Sequence, residues 1–188
     1  MELRHWHEYS QNLEAGFKDR AKTSIGLFID SFQSSDEIGR WVHAYLMRLP
    51  LDCDRIRHEI FAELVYPTLV RWRSAGNPRG AFWLGRLYQN LLHVGDPGTH
   101  RTDFLKESFR LAPKDEDIRR FLLKFMLEDF DLLDHEWPSG LIATIDKKSE
   151  LLEDVCFARR IDLEGEYTAR WDELEKRIRS NENWLWLD

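Results

Sequence analysis

Between residues 78 and 138 one pattern occurs three times over: apolar side chains at three- and four-residue steps, each run closed by helix-breaking residues. PRGAFWLGRLYQNLLH is followed by a GDPG break, then RTDFLKESFRLAP, then KDEDIRRFLLKFMLEDFDLLDHEWP. This spacing is the helical period, and three consecutive amphipathic helices must bury their stripes against one another or against neighbours. The flanking segments carry the same period, so the expected fold is all-α. It is an antiparallel bundle or short helical-repeat array of about six to eight helices in a single domain spanning 1–188.

Upstream, Trp6, Leu13, Phe17, Ala21, Ile25, Phe28 and Phe32 set out one long helix or two, with Gly16 the natural joint. Ser34 followed at the third position by Glu37 fits a capping box, in which hydroxyl and carboxylate take up amide donors left free at a helix start. From there Ile38, Trp41, Val42, Tyr45, Leu46 and Leu49 form a stripe that Pro50 ends. The run from Asp54 reads as helical again, with Ile56, Ile60 and Leu64 on one face. Pro67 lacks an amide proton and crowds the preceding turn, which predicts a kink or break near Tyr66.

Asn77 and Pro78 form a strong helix start. On the helix that follows, Ala81, Leu84, Gly85, Leu87, Tyr88, Leu91 and Leu92 share the packing face, whereas Arg86, Gln89 and His93 fall opposite. Gly85 in the packing face predicts close approach of a neighbouring helix. Arg71, Arg73, Arg79 and Arg86 form a local basic patch, which the abundant carboxylates are expected to pair.

Leu84-Gly85, Tyr88 and the LKESFRLAPKDED segment with its Pro113 stop resemble a tetratricopeptide repeat over residues 81–114. The departures are an offset Trp83, a longer VGDPGTHRT loop and Ser108 where a small Ala is usual, and no second copy occurs at that period. The resemblance implies stacked antiparallel helix pairs and a protein-binding role, and no catalytic residue.

After Pro113 the acids Asp115, Glu116 and Asp117 meet the positive end of the next helix dipole. On that helix Ile118, Phe121, Leu122, Phe125, Leu132 and Leu133 lie on one side and Lys124, Glu128, Asp131 and His135 on the other. Asp129 falls near the middle of the apolar side, so a donor such as Arg86 or Arg71 is expected to pair with it. Trp137-Pro138 and Gly140 end the helix. Two more helices follow, over 149–160 and 163–179, the second with Leu163, Tyr167, Trp171, Leu174 and Ile178 on its stripe. The tail carries Trp184 and Trp186, a pair that must dock on the body or on a partner.

Composition narrows the function. A net charge of −7 and a pI near 5.5 disfavour a phosphate backbone as partner and suit a basic protein instead. Cys53 and Cys156 stand far apart without a CxxC spacing, so neither a zinc framework nor a disulfide is indicated and a reducing compartment fits. The first twenty residues hold no signal-peptide core and no stretch reads as a membrane span, so the expected location is cytoplasmic. Gly-rich phosphate loops, nucleophile elbows and HExxH spacings do not occur, and no cofactor or metal is implied.

Glu128, Asp131, Asp134 and His135, bordered by Trp137, are the candidate partner-binding residues: acids within two turns beside a large aromatic offer a cationic protein both steering and an anchor. The plainer reading of the same residues is a solvated helix face. Two function classes follow. The first is a non-enzymatic protein-binding module with an acidic surface, of which an immunity protein neutralising a toxin is one instance. The second is a metal-dependent or acid-base enzyme using the Asp131 and His135 region, for which one outward-facing pair is too few ligands.

Overall fold

The computed structural model describes residues 3–50, 53–94, 100–135 and 148–180, with only the backbone of 132–135 and 148. Among them the chain is all-α, without a strand, in ten helices when the continuous 58–74 stretch is counted once. It divides between Ala112 and Pro113 into two compact units, each described by itself.

In the first unit, α1 (Leu3–Glu14) and α2 (Lys18–Asp30) form a hairpin about Gly16, whose φ of 77° is the left-handed conformation glycine tolerates. Asn12 donates to Ser24 across it. α3 (Ser35–Leu46) starts at the predicted cap: Ser34 Oγ accepts from Glu37 N at 3.2 Å, while the Glu37 carboxylate reaches back to Gln33 N at 2.9 Å. Trp6, Phe28, Phe32, Trp41 and Tyr45 join these three helices through ring pairs 5.0–6.1 Å apart.

The helix expected from Asp54 starts later. α4 (His58–Ile60) runs through a π-helical turn, Phe61–Val65, into α5 (Tyr66–Ser74). Pro67 therefore breaks nothing. The wider turn immediately before it, with Tyr66 N bonded to Phe61 O, absorbs the register that proline disrupts. Ile56 reaches the core from non-helical chain, because the buried Asn90 side chain takes both its peptide groups. Ile56 N donates to Asn90 Oδ1 and Asn90 Nδ2 donates to Ile56 O, each at 2.9 Å.

α6 (Pro78–Arg86) begins as predicted, with Asn77 Oδ1 accepting from Arg79 N at 3.0 Å. It then breaks at Leu87, and α7 (Tyr88–Val94) continues in a shifted phase. The predicted faces change accordingly: Leu92 is exposed, and Arg86 is buried with its guanidinium 4.6 Å from the Trp83 ring and donating to Pro50 O. α8 (Arg101–Leu111) lies antiparallel to α6. A Cβ on Gly85 would stand 2.9 Å from Leu105 Cγ, the predicted close approach, and Ser108 Oγ donates to Pro78 O at 2.8 Å. Gly80 is closer still to its neighbour: a Cβ there would meet Leu69 O at 2.8 Å and Arg73 Cα at 2.9 Å, both backbone atoms of α5. Within the basic patch, Arg73 pairs with Glu107 at 2.7 Å over the Phe104 ring, and Arg71 donates to Ser35 O.

The second unit is built from α9 (Glu116–His135), α10 (Lys148–Ile161) and α11 (Thr168–Ser180). Ile118, Leu122, Phe125, Val155, Ala158, Trp171 and Leu174 form its core. The helix predicted from Leu163 begins at Thr168 and leaves Leu163 75% exposed. Asp162 is the cause: its carboxylate accepts from Glu166 N, Tyr167 N and Trp171 Nε1 and so holds 162–167 as a turn. Arg119, only 5% exposed, fixes that turn from α9 by donating to Ile161 O at 3.0 Å and through a bidentate pair with Glu164, both oxygens at 2.7 Å.

Candidate functional site

The α9 side chains follow the predicted phase, so Lys124, Glu128 and Asp131 are exposed opposite the buried stripe. Two of the candidate carboxylates already hold cations of the same unit. Glu128 faces Lys124 one turn earlier at 3.7 Å, and Asp131 Oδ1 accepts from Arg170 at 2.5 Å. Arg170 also reaches Glu173 at 2.8 Å, and the hydrogen bond it donates to Asp131 leads in holding that guanidinium above its ordinary pKa. The Asp134 and His135 side chains and Trp137 lie outside the described residues, as do Trp184 and Trp186. Asp129 is half-buried on α9, and Arg86 donates to Pro50 O.

Arg159 bridges Asp172 at 2.5 Å and Glu175 at 2.6 Å, Arg179 joins Glu175 at 2.7 Å, and Arg120 joins Glu116 at 2.7 Å. The Glu164 carboxyl is held below its ordinary value of 4.5 chiefly by the Arg119 hydrogen bond, and Glu175 likewise chiefly by Arg179. The cations of this unit are thus largely committed to carboxylates, and carboxylates remain in surplus. Residues 113–188 carry 20 Asp and Glu against 12 Lys and Arg, a balance of −8, whereas residues 1–112 carry 14 against 15, a balance of +1. On α10, Glu150 and Glu153 are three apart, exposed, and take no ion pair among the described residues. Spacing alone marks them as one helix face.

A shallow groove lined by Arg159, Asp172, Glu175, Lys176 and Arg179 lies among these ion pairs. It is open and charged, unlike the enclosed, mostly apolar sites that hold small molecules. Among the described residues no three His, Cys, Asp or Glu side chains converge on a point where a metal could sit, and no helix is long and apolar enough to cross a membrane. Cys53 and Cys156 are both free thiols.

Comparison with protein-family models, with curated proteins and with solved structures finds no match to this chain.

Proposed function

We propose that the chain is a non-enzymatic protein-binding module whose second unit offers an acidic surface to a cationic polypeptide. The observation that carries this reading is the segregation of charge: the whole of the net negative balance belongs to residues 113–188. A surface of one sign raises the encounter rate of an oppositely charged partner by about ten- to a thousandfold and repels polyanions. Neutralisation of a basic toxin, as by an immunity protein, is one role that such a surface suits.

Because Asp131 is tied to Arg170, reversing it would disturb the unit as well as any interface. The better probes are Glu150 and Glu153. The protein is used to capture a partner from its native cell, the partner is identified, and association rates are compared for wild type and for Glu150→Lys/Glu153→Lys. The expected result is a slower association with a flattened salt dependence, while Asp30→Lys/Asp36→Lys in the first unit leaves both unchanged. Equal rates in wild type and the α10 variant, or a partner bound without salt dependence, would remove the acidic surface from the function.

A further inference from the structure

The Asn90 clamp has a second effect on its surroundings. By bonding both peptide groups of Ile56 it sets the register between the start of α4 and the end of α7. His58 lies two residues after Ile56 and His93 three residues after Asn90, and the two imidazoles are neighbours with ring centroids 6.2 Å apart and planes inclined at 54°. Both side chains are exposed.

His93 is also oriented. Its Nδ1 lies 3.0 Å from Gln89 O, and since a carbonyl can only accept, Nδ1 carries the proton and the lone pair is left on Nε2. A backbone carbonyl bonded to one ring nitrogen is the usual support of a metal-ligating histidine, because it fixes both tautomer and ring direction. With metal–nitrogen bonds of about 2.0–2.1 Å, two imidazoles sharing one ion stand roughly 5–6 Å apart between centroids. The present separation of 6.2 Å lies just above that span, and a turn of the exposed His58 side chain would bring the rings within it.

We propose that His58 and His93 form a two-histidine site for a borderline divalent cation of the Zn2+ or Ni2+ type. Imidazole pairs select such ions over Mg2+ and Ca2+, which take oxygen ligands. Two protein ligands leave the other coordination positions to water or to a group from outside, so the ion is exchangeable. Bound there, it ties α4 to α7 across the non-helical segment that Asn90 and Arg86 already hold.

The test titrates the full-length protein with NiCl2, ZnCl2 and MgCl2 by calorimetry, beside His58→Gln and His93→Gln, whose exposed positions keep the fold intact as checked by circular dichroism. Wild type should bind a single equivalent of Ni2+ or Zn2+ and gain in Tm with the metal, and Mg2+ should do neither. Each variant should bind about tenfold or more weakly, the scale on which losses around a metal ligand are felt, and lose the Tm gain. Absence of saturable binding in wild type, or unchanged affinity in either variant, overturns the proposal.

Discussion

Replacing Gly80 by Ala is the sharpest probe of how the first unit is held together. The added Cβ would lie 2.8 Å from Leu69 O and 2.9 Å from Arg73 Cα, and nearer still to Arg73 N. None of these atoms can rotate aside, because all belong to the α5 backbone, so α5 and α6 must part. Overpacking of a tight core costs about 1–3 kcal/mol, and a collision with backbone belongs at the upper end. Alanine in a helix returns at most about 1 kcal/mol over glycine. The net expectation is a loss of about 2 kcal/mol.

Two other helical glycines calibrate that figure. At Gly26 a Cβ would meet nothing within 4 Å, so Gly26→Ala should stabilise by about 0.5–1 kcal/mol. At Gly85 the obstacle is chiefly the Leu105 side chain, at 2.9 and 3.0 Å, and Gly85→Ala should fall between the two. Urea melts followed by far-UV circular dichroism give the ranking Gly26→Ala, wild type, Gly85→Ala, Gly80→Ala from most to least stable. A Gly80→Ala protein as stable as wild type would refute the close α5–α6 approach and the reasoning built on it.

Asn90→Ala should cost about 3 kcal/mol in a denaturant melt, because it strands a buried donor and a buried acceptor of Ile56 at about 1–3 kcal/mol each; a change within error would show that water replaces the amide. For Glu164, the folded-state pKa lies below 4.5, so the stability it contributes is present above that value and is lost as pH falls through the folded one. Glu164→Gln should accordingly flatten the acid side of the second unit's Tm-against-pH curve, and an unchanged acid slope would place the sensitivity elsewhere. Burial foremost, then the neighbouring Cys53 and Tyr9, pushes the Tyr45 phenol from 10.0 up to about 12. Its contribution is complete below the unfolded value and lost as pH rises through 12, so a phenolate titration should show a late step that Tyr45→Phe removes.

What could be read from the chain in advance was what its neighbours in sequence decide. Ser34 and Asn77 cap their helices through amides two or three residues on, and Gly16 turns a hairpin whose arms follow directly. Such features need no knowledge of what lies across the fold. Two of the features that differ depend on distant partners and a third on a local side-chain turn. Arg86 sits in a polar phase by spacing, yet Pro50 O and the Trp83 ring draw it inside once Leu87 breaks the helix. Ile56 fits a helical period in number, but periodicity is blind to Asn90, which claims both of its peptide groups from 34 residues away. Leu163 fits the stripe of α11 in number but not in space, since Asp162 spends its carboxylate on the turn that delays the helix.

The candidate surface divides along the same line. That Glu128 and Asp131 face solvent follows from helical phase alone, but that Arg170 occupies Asp131 follows from α11 folding back on α9 within the second unit. The acidic excess of residues 113–188 was present in the composition throughout. It gains meaning only with the boundary at Ala112, because a charge of −7 averaged over 188 residues describes an ordinary solvated surface, whereas −8 carried by residues 113–188 describes a field. A field of that kind acts at about the Debye length, 8 Å at physiological ionic strength, and does not require any one carboxylate to be poised for contact. Paired acids such as Asp131 therefore still contribute to steering through the unit's net charge, while unpaired ones such as Glu150 and Glu153 can also meet a cation directly. The two roles separate experimentally. Neutralising a paired acid together with its cation should leave the association rate unchanged, and neutralising Glu150 and Glu153 should slow it.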